Sequence, residues 1–162
     1  MDNSGDGTVI KVPNLLRAKV GTAPGPSLDQ IVAEAEKALN GLQAQSRVWI
    51  QEYLAALAET VDTARAGTAP KIEAIDRVRK IAHDIKGQGT TFGYPLLTVV
   101  GHMLHGFTER DPEAAARHLE VVAAHVDFMN LVIKHEIHDS GGPQVAHMLS
   151  ALKTAAAKVR DE

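Results

Sequence analysis

The sequence predicts an all-α protein, arranged as an up-and-down four-helix bundle with an extra N-terminal helix and an extended N-terminal arm. Two observations lead to this prediction. Apolar residues recur at steps of three and four along most of the chain, and no segment shows the strict alternation of a β-strand. Aromatic residues make up only 4% of the 162 residues, which argues against a sandwich or a barrel. A chain of this length can bury one core, and we assign the arm to residues 1–26 and the helical domain to residues 27–162.

The arm is predicted from its glycines and prolines. These residues interrupt the first 26 positions at short intervals, so no helix of useful length fits there. Its middle part, residues 9–20, carries enough apolar side chains to lie along the surface of the domain.

The first helix is predicted to begin at Ser27, which forms an S-x-x-Q capping box with Gln30. Apolar residues continue at helical spacing to Leu42, and a second apolar run ends at Gly67. The pair Asn40-Gly41 leaves open whether the two runs belong to one helix.

Four further helical segments follow. Pro70 begins one of them, Pro95 suits the first turn of the next, and Asp111-Pro112 combines a capping side chain with a first-turn proline. A turn at residues 140–143 precedes the last helix. The predicted ranges are about 70–91, about 95–107, 112 through at least 133, and about 144–159.

Composition excludes several classes of function. The 17 basic and 20 acidic residues give a net charge of −3, so a general nucleic-acid binder is not expected. The chain has no cysteine, which excludes disulfides and thiolate chemistry. No apolar run reaches the roughly 18 residues of a membrane span, and the first 13 residues lack the features of a signal peptide. We therefore expect a cytoplasmic protein that does not contact membranes.

The helix around His83 carries the most informative chemistry. Its apolar seam runs from Ile75 to Phe92, and at about 100° per residue His83 lies roughly 130° from that seam. The imidazole is therefore predicted to face solvent, with Lys86 one turn away and Gly87 beside it. A neutral imidazole is a nucleophile at pH 7, and a nearby ammonium group can neutralise a phosphoryl group attached to it.

Residues 82–104, AHDIKGQGTTFGYPLLTVVGHML, resemble the phosphoacceptor segment of histidine phosphotransfer (HPt) domains. That segment follows the pattern H-x-[LIV]-K-G-small-small-x-x-[LF]-G and continues into hydrophobic positions at helical spacing. The pattern is filled without a gap by His83, Ile85, Lys86, Gly87, Gly89, Phe92 and Gly93, and its hydrophobic continuation by Leu97, Val100 and Leu104. Gln88 departs from the pattern, because the family usually has a small residue there.

The resemblance implies a phosphorelay carrier with His83 as phosphoacceptor, Lys86 as the stabiliser of the phosphoryl group and Gly87 as the point of access for a partner. The implied partners are the receiver domains of a hybrid histidine kinase and of a response regulator. The receiver would supply Mg²⁺, so no cofactor and no metal site are expected on this chain, which we expect to be a monomer. Without an ATP-binding module, ATP alone should not label it. We expect the docking surface to comprise Arg79, Lys80, Gln88, Thr90, Met103 and His105.

Two alternatives stay open. The chain could be a helical adaptor that binds signalling partners without phosphate, through the bundle and the arm. The two H-x-x-H pairs, at His102 and His105 and at His135 and His138, could form a metal site if their helices touched.

Overall fold

The computed structural model describes residues 25–159, and this part of the chain is all-helical, as predicted. It contains no β-strand. Residues 1–24, which hold nearly all of the predicted arm, lie outside the described residues. Residues 25–159 form six helices, α1 (Leu28–Arg65), α2 (Lys71–Gln88), α3 (Pro95–Arg110), α4 (Pro112–Arg117), α5 (Leu119–Lys134) and α6 (Gly142–Lys158). None of these helices is both long and apolar enough to cross a membrane.

Two of the predicted helix starts, at Ser27 and at Asp111, are stabilised by the capping hydrogen bonds that the sequence indicates. The Ser27 backbone N–H donates to Oε1 of Gln30 at 2.9 Å, and the Gln30 backbone N–H donates to Oγ of Ser27 at 3.2 Å. This reciprocal pair is the predicted capping box. The Asp111 carboxylate accepts from the Ala114 backbone N–H at 2.8 Å and so caps α4, whose first residue is Pro112. Both starts are therefore confirmed.

The structure answers the question left open at Gly41 and differs from the prediction at two other helix boundaries. The helix α1 runs without a break through Gly41, because a single glycine costs a long helix only about 1 kcal/mol. The helix α2 ends at Gln88, three residues earlier than predicted, and residues 89–93 form a turn in which Gly93 adopts a φ of 85°. The single helix predicted after Asp111 is divided at His118, whose φ of −112° and ψ of 56° are not helical.

The chain forms two compact units, residues 1–38 and 39–162, and α1 passes from one into the other. The described part of the first unit is the start of α1, where Leu28, Ile31 and Val32 are exposed. The second unit contains the hydrophobic core. In that core α2 packs mainly on α3, and α5 packs on α3 and α6. The predicted inward seam of α2 is confirmed, since Ile75, Val78, Ala82 and Ile85 are all buried.

Gly101 allows the backbones of α2 and α3 to approach closely. A Cβ atom at this position would lie 2.9 Å from the Lys86 backbone nitrogen and 3.2 Å from the Ala82 carbonyl oxygen. Gly89 has a similar role at the end of α2, where a Cβ atom would lie 2.7 Å from the Thr98 backbone nitrogen. A Cβ atom at Gly87 would meet open space. Close packing therefore explains Gly89 and Gly101 but not Gly87.

His125 lies in the core, although its sequence context predicts a surface or partly packed position. The side chain is fully buried, with its Nδ1 2.7 Å from the Val121 carbonyl oxygen. Since a carbonyl only accepts, Nδ1 carries the hydrogen of the neutral ring, and Nε2 can only accept. No hydrogen-bond partner reaches Nε2 within the described structure. Burial lowers the pKa of His125 below its usual value, so the ring is neutral in the folded protein.

The contact at Gly101 predicts opposite effects of two substitutions on one helix. We expect Gly101→Ala to lower the free energy of unfolding by about 1–3 kcal/mol, because the new methyl group meets backbone that cannot move aside. Gly106→Ala, also in α3 but facing open space, should raise it by up to about 1 kcal/mol through helix propensity. Urea unfolding of both variants checks this, and equal stability of the two would contradict the close approach.

The buried ring of His125 predicts a pH dependence of stability. The folded protein holds the ring neutral, whereas the unfolded chain takes up a proton near the ordinary pKa of 6.5. The stabilisation is therefore complete above pH 6.5 and is lost as the pH falls from 6.5 toward the lower folded-state pKa, by at most about 1.4 kcal/mol per pH unit. Urea unfolding at pH 7.5 and 5.5 should show a smaller pH effect for His125→Met than for the parent. The exposed His147, changed to Met, is the control, and an unchanged pH effect in His125→Met would refute the assignment.

Candidate functional site

The imidazole of His83 is exposed on the outer face of α2 and lies beside His105 of α3, with 5.3 Å between the ring centroids. The two rings border an open depression of about 250 Å³, which we call the His83 cavity. It is lined by Arg79, Lys80, His83, Asp84, His105 and Glu109.

The helix packing places the two histidines together. The seam of α2 is buried, so His83 on the opposite side faces outward, as predicted. Gly101 brings α3 against the backbone of α2 between Ala82 and Lys86. His105 lies one turn beyond Gly101 on the same face of α3 and so comes level with His83. The expected proximity of His105 to His83 is therefore present.

In the described part of the chain, Lys86 differs from Arg79 and Lys80 in having no carboxylate partner. Asp76 forms ion pairs with Arg79 and with Lys80, whose Nζ lies 2.7 Å from Oδ2 of the carboxylate. Hydrogen bonds from Lys80, and then from Arg79, lower the pKa of Asp76, so its carboxylate stays ionised. Lys86 is half-buried one turn from His83, and between residues 25 and 159 no carboxylate lies within ion-pair distance of its ammonium group.

His105 supplies a second, neutral imidazole to the site. Burial lowers its pKa most, and the positive charge of Lys86 lowers it further. The carboxylate of Glu109 acts in the other direction, with Oε2 3.6 Å from Nδ1 of His105. The net direction is downward, so His105 is neutral at pH 7 and can both donate and accept a hydrogen bond.

The other residues of the predicted docking surface differ in exposure and in the groups that they contact. Gly87 is exposed with open space around it, and Gln88 is half-buried next to it. Thr90 is exposed, but its hydroxyl oxygen lies 2.9 Å from that of Thr98, whose oxygen also accepts from the Thr90 backbone N–H at 2.8 Å. Met103 is half-buried against the core and lines a separate cleft, away from His83.

Sequence reasoning missed three residues of this site. Asp84 and Glu109 line the His83 cavity, and Gly101 sets the spacing of its two helices. For Glu109 a signal was present, because it follows His105 by four residues on one helix. For Gly101 the signal was a glycine in the middle of the predicted helix 95–107, where it costs about 1 kcal/mol relative to alanine.

The two H-x-x-H pairs do not come together. His102 lines the separate cleft, whereas His105 lies beside His83. His138 makes its contacts elsewhere. Its Nδ1 lies 2.9 Å from the Gly93 carbonyl oxygen, and the centroid of its ring lies 4.5 Å from that of Tyr94. In the described part of the chain, no group of three or more side chains is arranged to hold a metal ion.

The site thus presents one exposed imidazole, an ammonium group without an ion pair in the described residues, a neutral imidazole and one exposed glycine with open space around it. No protein-family model matches this chain, and the comparisons with curated proteins and with solved structures give no match either.

Proposed function

We propose that this protein is a histidine phosphotransfer protein of a two-component phosphorelay. His83 accepts a phosphoryl group from the aspartyl phosphate of one receiver domain and passes it to an aspartate of a response regulator. The observation that carries the proposal is the exposed imidazole of His83, with the unpaired ammonium of Lys86 one turn away and open space at Gly87.

The transfer step needs little more than this geometry. A ring nitrogen of neutral His83 attacks the phosphorus atom, a P–N bond forms, and the P–O bond to the partner's aspartate breaks with the electron pair leaving on the carboxylate. Return of the phosphoryl group to a second aspartate reverses these events. Positioning and neutralisation of charge provide most of the catalysis in phosphoryl transfer. Lys86 supplies a positive charge from this chain, and the receiver supplies Mg²⁺ and the acidic pocket.

The fold is suited to such a carrier. The longer helices after α1 pack on one another around one core, α2 on α3, α3 on α5 and α5 on α6. We propose that these four form the up-and-down bundle of an HPt domain, with α1 as the additional N-terminal helix. We propose that this protein acts as an intermediate between receivers and not as a kinase. Its proposed setting is the cytoplasm, and its proposed working form is a monomer.

The proposed docking surface surrounds the His83 cavity. Arg79 and Lys80 lie at its rim, His105 lies across from His83, and Thr90 and Gln88 continue the surface toward the end of α2. The positive charges of Arg79 and Lys80 complement the acidic pocket of a receiver. Met103 is not included, because it lines the separate cleft.

A phosphate-independent adaptor is the second candidate. The observation that favours it is an apolar depression of about 550 Å³, lined in part by the exposed Leu39 and Leu42 and by Trp49 and Phe92. Such a surface fits an apolar segment of a partner protein. Partner binding that persists unchanged after substitution of His83 would favour this function.

The phosphorelay proposal predicts that His83→Gln abolishes phosphorylation. The purified protein is mixed with a phosphorylated receiver and Mg²⁺, and acid-labile, base-stable phosphate is measured. His102→Gln, an exposed histidine of α3, should be labelled like the parent, and both variants should keep the parental helicity. Labelling of His83→Gln at the parental level would refute the site, and failure of the parent with several receivers would favour the adaptor.

The open space at Gly87 predicts a steric effect on docking. Gly87→Leu should fold normally, because a Cβ atom at this exposed position meets open space in residues 25–159, but it should slow transfer from the receiver at least about tenfold by obstructing approach to His83. Transfer rates and circular dichroism are compared with those of Ala146→Leu, which adds the same exposed side chain on α6. Parental transfer rates in Gly87→Leu would show that no partner approaches across this face.

A further inference from the structure

A second cleft borders a different face of α3 from the one that borders the His83 cavity. It has a volume of about 460 Å³, in the range of small-molecule sites. His105 and Glu109 of α3 border the His83 cavity, whereas His102, Gly106 and Arg110 of the same helix border this cleft. Its full lining is His102, Met103, Gly106, Phe107, Arg110, His125, Lys153, Ala156 and Ala157.

The charges at the cleft are all of one sign. Arg110 of α3 and Lys153 of α6 are exposed at its edge, and no carboxylate is part of its lining. No acidic group in residues 25–159 pairs with either cation. In a protein with a net charge of −3, two unpaired cations from different helices at one cleft favour an anionic ligand.

His125 adds a hydrogen-bond acceptor to the lining. The ring is fully buried, its Nδ1–H is used by the Val121 carbonyl, and its Nε2 has no partner. A buried acceptor without a donor costs about 1–3 kcal/mol. A hydroxyl group on a bound molecule would supply the missing donor. Apart from His102, the rest of the lining is apolar, with Met103 and Phe107 as its largest side chains.

We propose that this cleft binds a small, freely diffusing amphipathic anion that carries a hydroxyl group, such as a hydroxylated medium-chain carboxylate. Arg110 and Lys153 hold the carboxylate, the apolar chain lies against Met103 and Phe107, and the hydroxyl group donates to Nε2 of His125. The ligand site is independent of the proposed phosphorelay chemistry, because none of these residues lines the His83 cavity.

The test uses 3-hydroxyoctanoate as the probe in isothermal titration calorimetry at pH 7.5. Octanoate lacks the hydroxyl group and should bind about 2–10-fold more weakly, the effect of one hydrogen bond. Octane-1,3-diol lacks the carboxylate and should bind at least about tenfold more weakly, the effect of losing a charge-assisted contact. Equal binding of the diol and the hydroxy acid would overturn the anion site, and absence of binding by all three probes at millimolar concentration would overturn the cleft as a ligand site.

Two matched double variants distinguish binding in this cleft from attraction of the probe by the overall surface charge. The double variant Arg110→Gln/Lys153→Gln should weaken binding of 3-hydroxyoctanoate at least about tenfold. The control double variant Arg117→Gln/Lys134→Gln removes the same charge from exposed positions outside the cleft and should bind like the parent. Equal weakening in both would show that net charge alone attracts the probe.

The nitrogen resonances of His125 provide a readout for the hydroxyl contact. In the free protein Nε2 should show the chemical shift of an unprotonated ring nitrogen without a donor, and 3-hydroxyoctanoate should shift it whereas octanoate should not. Identical spectra with the two acids would remove His125 from the site. The variant His83→Gln should bind the probe like the parent, so that failure of the phosphorelay proposal and failure of this one can be distinguished.

Discussion

The close approach of α2 and α3 at Gly101 is the constraint on which the rest of the structure depends. With any larger residue there, the two helices would have to separate at the level of Ala82 and Lys86. That separation sets the distance between the rings of His83 and His105 and the shape of the depression between them. It also fixes α3 as the wall shared by the His83 cavity and the second cleft. One missing side chain in the interior thus determines the geometry of two surfaces.

The sequence was informative wherever one residue type has one physical consequence. Ser27 with Gln30 and Asp111 with Pro112 mark helix starts because their side chains satisfy the backbone N–H groups that every helix leaves unpaired. The steps of three and four from Ile75 to Ile85 predicted which side of α2 is buried, and hence that His83 is exposed. All of these inferences depend on contacts within one helix, and such contacts can be read from spacing alone.

Inferences that depend on contacts between helices were less successful. His125 lies seven residues from His118, which is compatible with an exposed face, but α5 packs against α3, α4 and α6 and buries it. Met103 and His105 are two residues apart, and only the packing of α3 shows that they border different cavities. Each of these facts requires the relative placement of groups that spacing along one helix does not specify.

The ion pairs of Asp76 have a consequence for how long any partner stays bound. Arg79 and Lys80 share the carboxylate of Asp76, so these three side chains together carry one net positive charge. An approaching acidic surface is attracted by that one charge and not by two. To engage Arg79 or Lys80 fully, the partner must displace a carboxylate that is fixed beside them on the same helix. Under the proposed function, a carrier has to leave one partner before it can meet the next, and an internal competitor of this kind shortens each encounter. For the proposed carrier, this arrangement would favour rapid exchange of receiver domains over tight complexes with them.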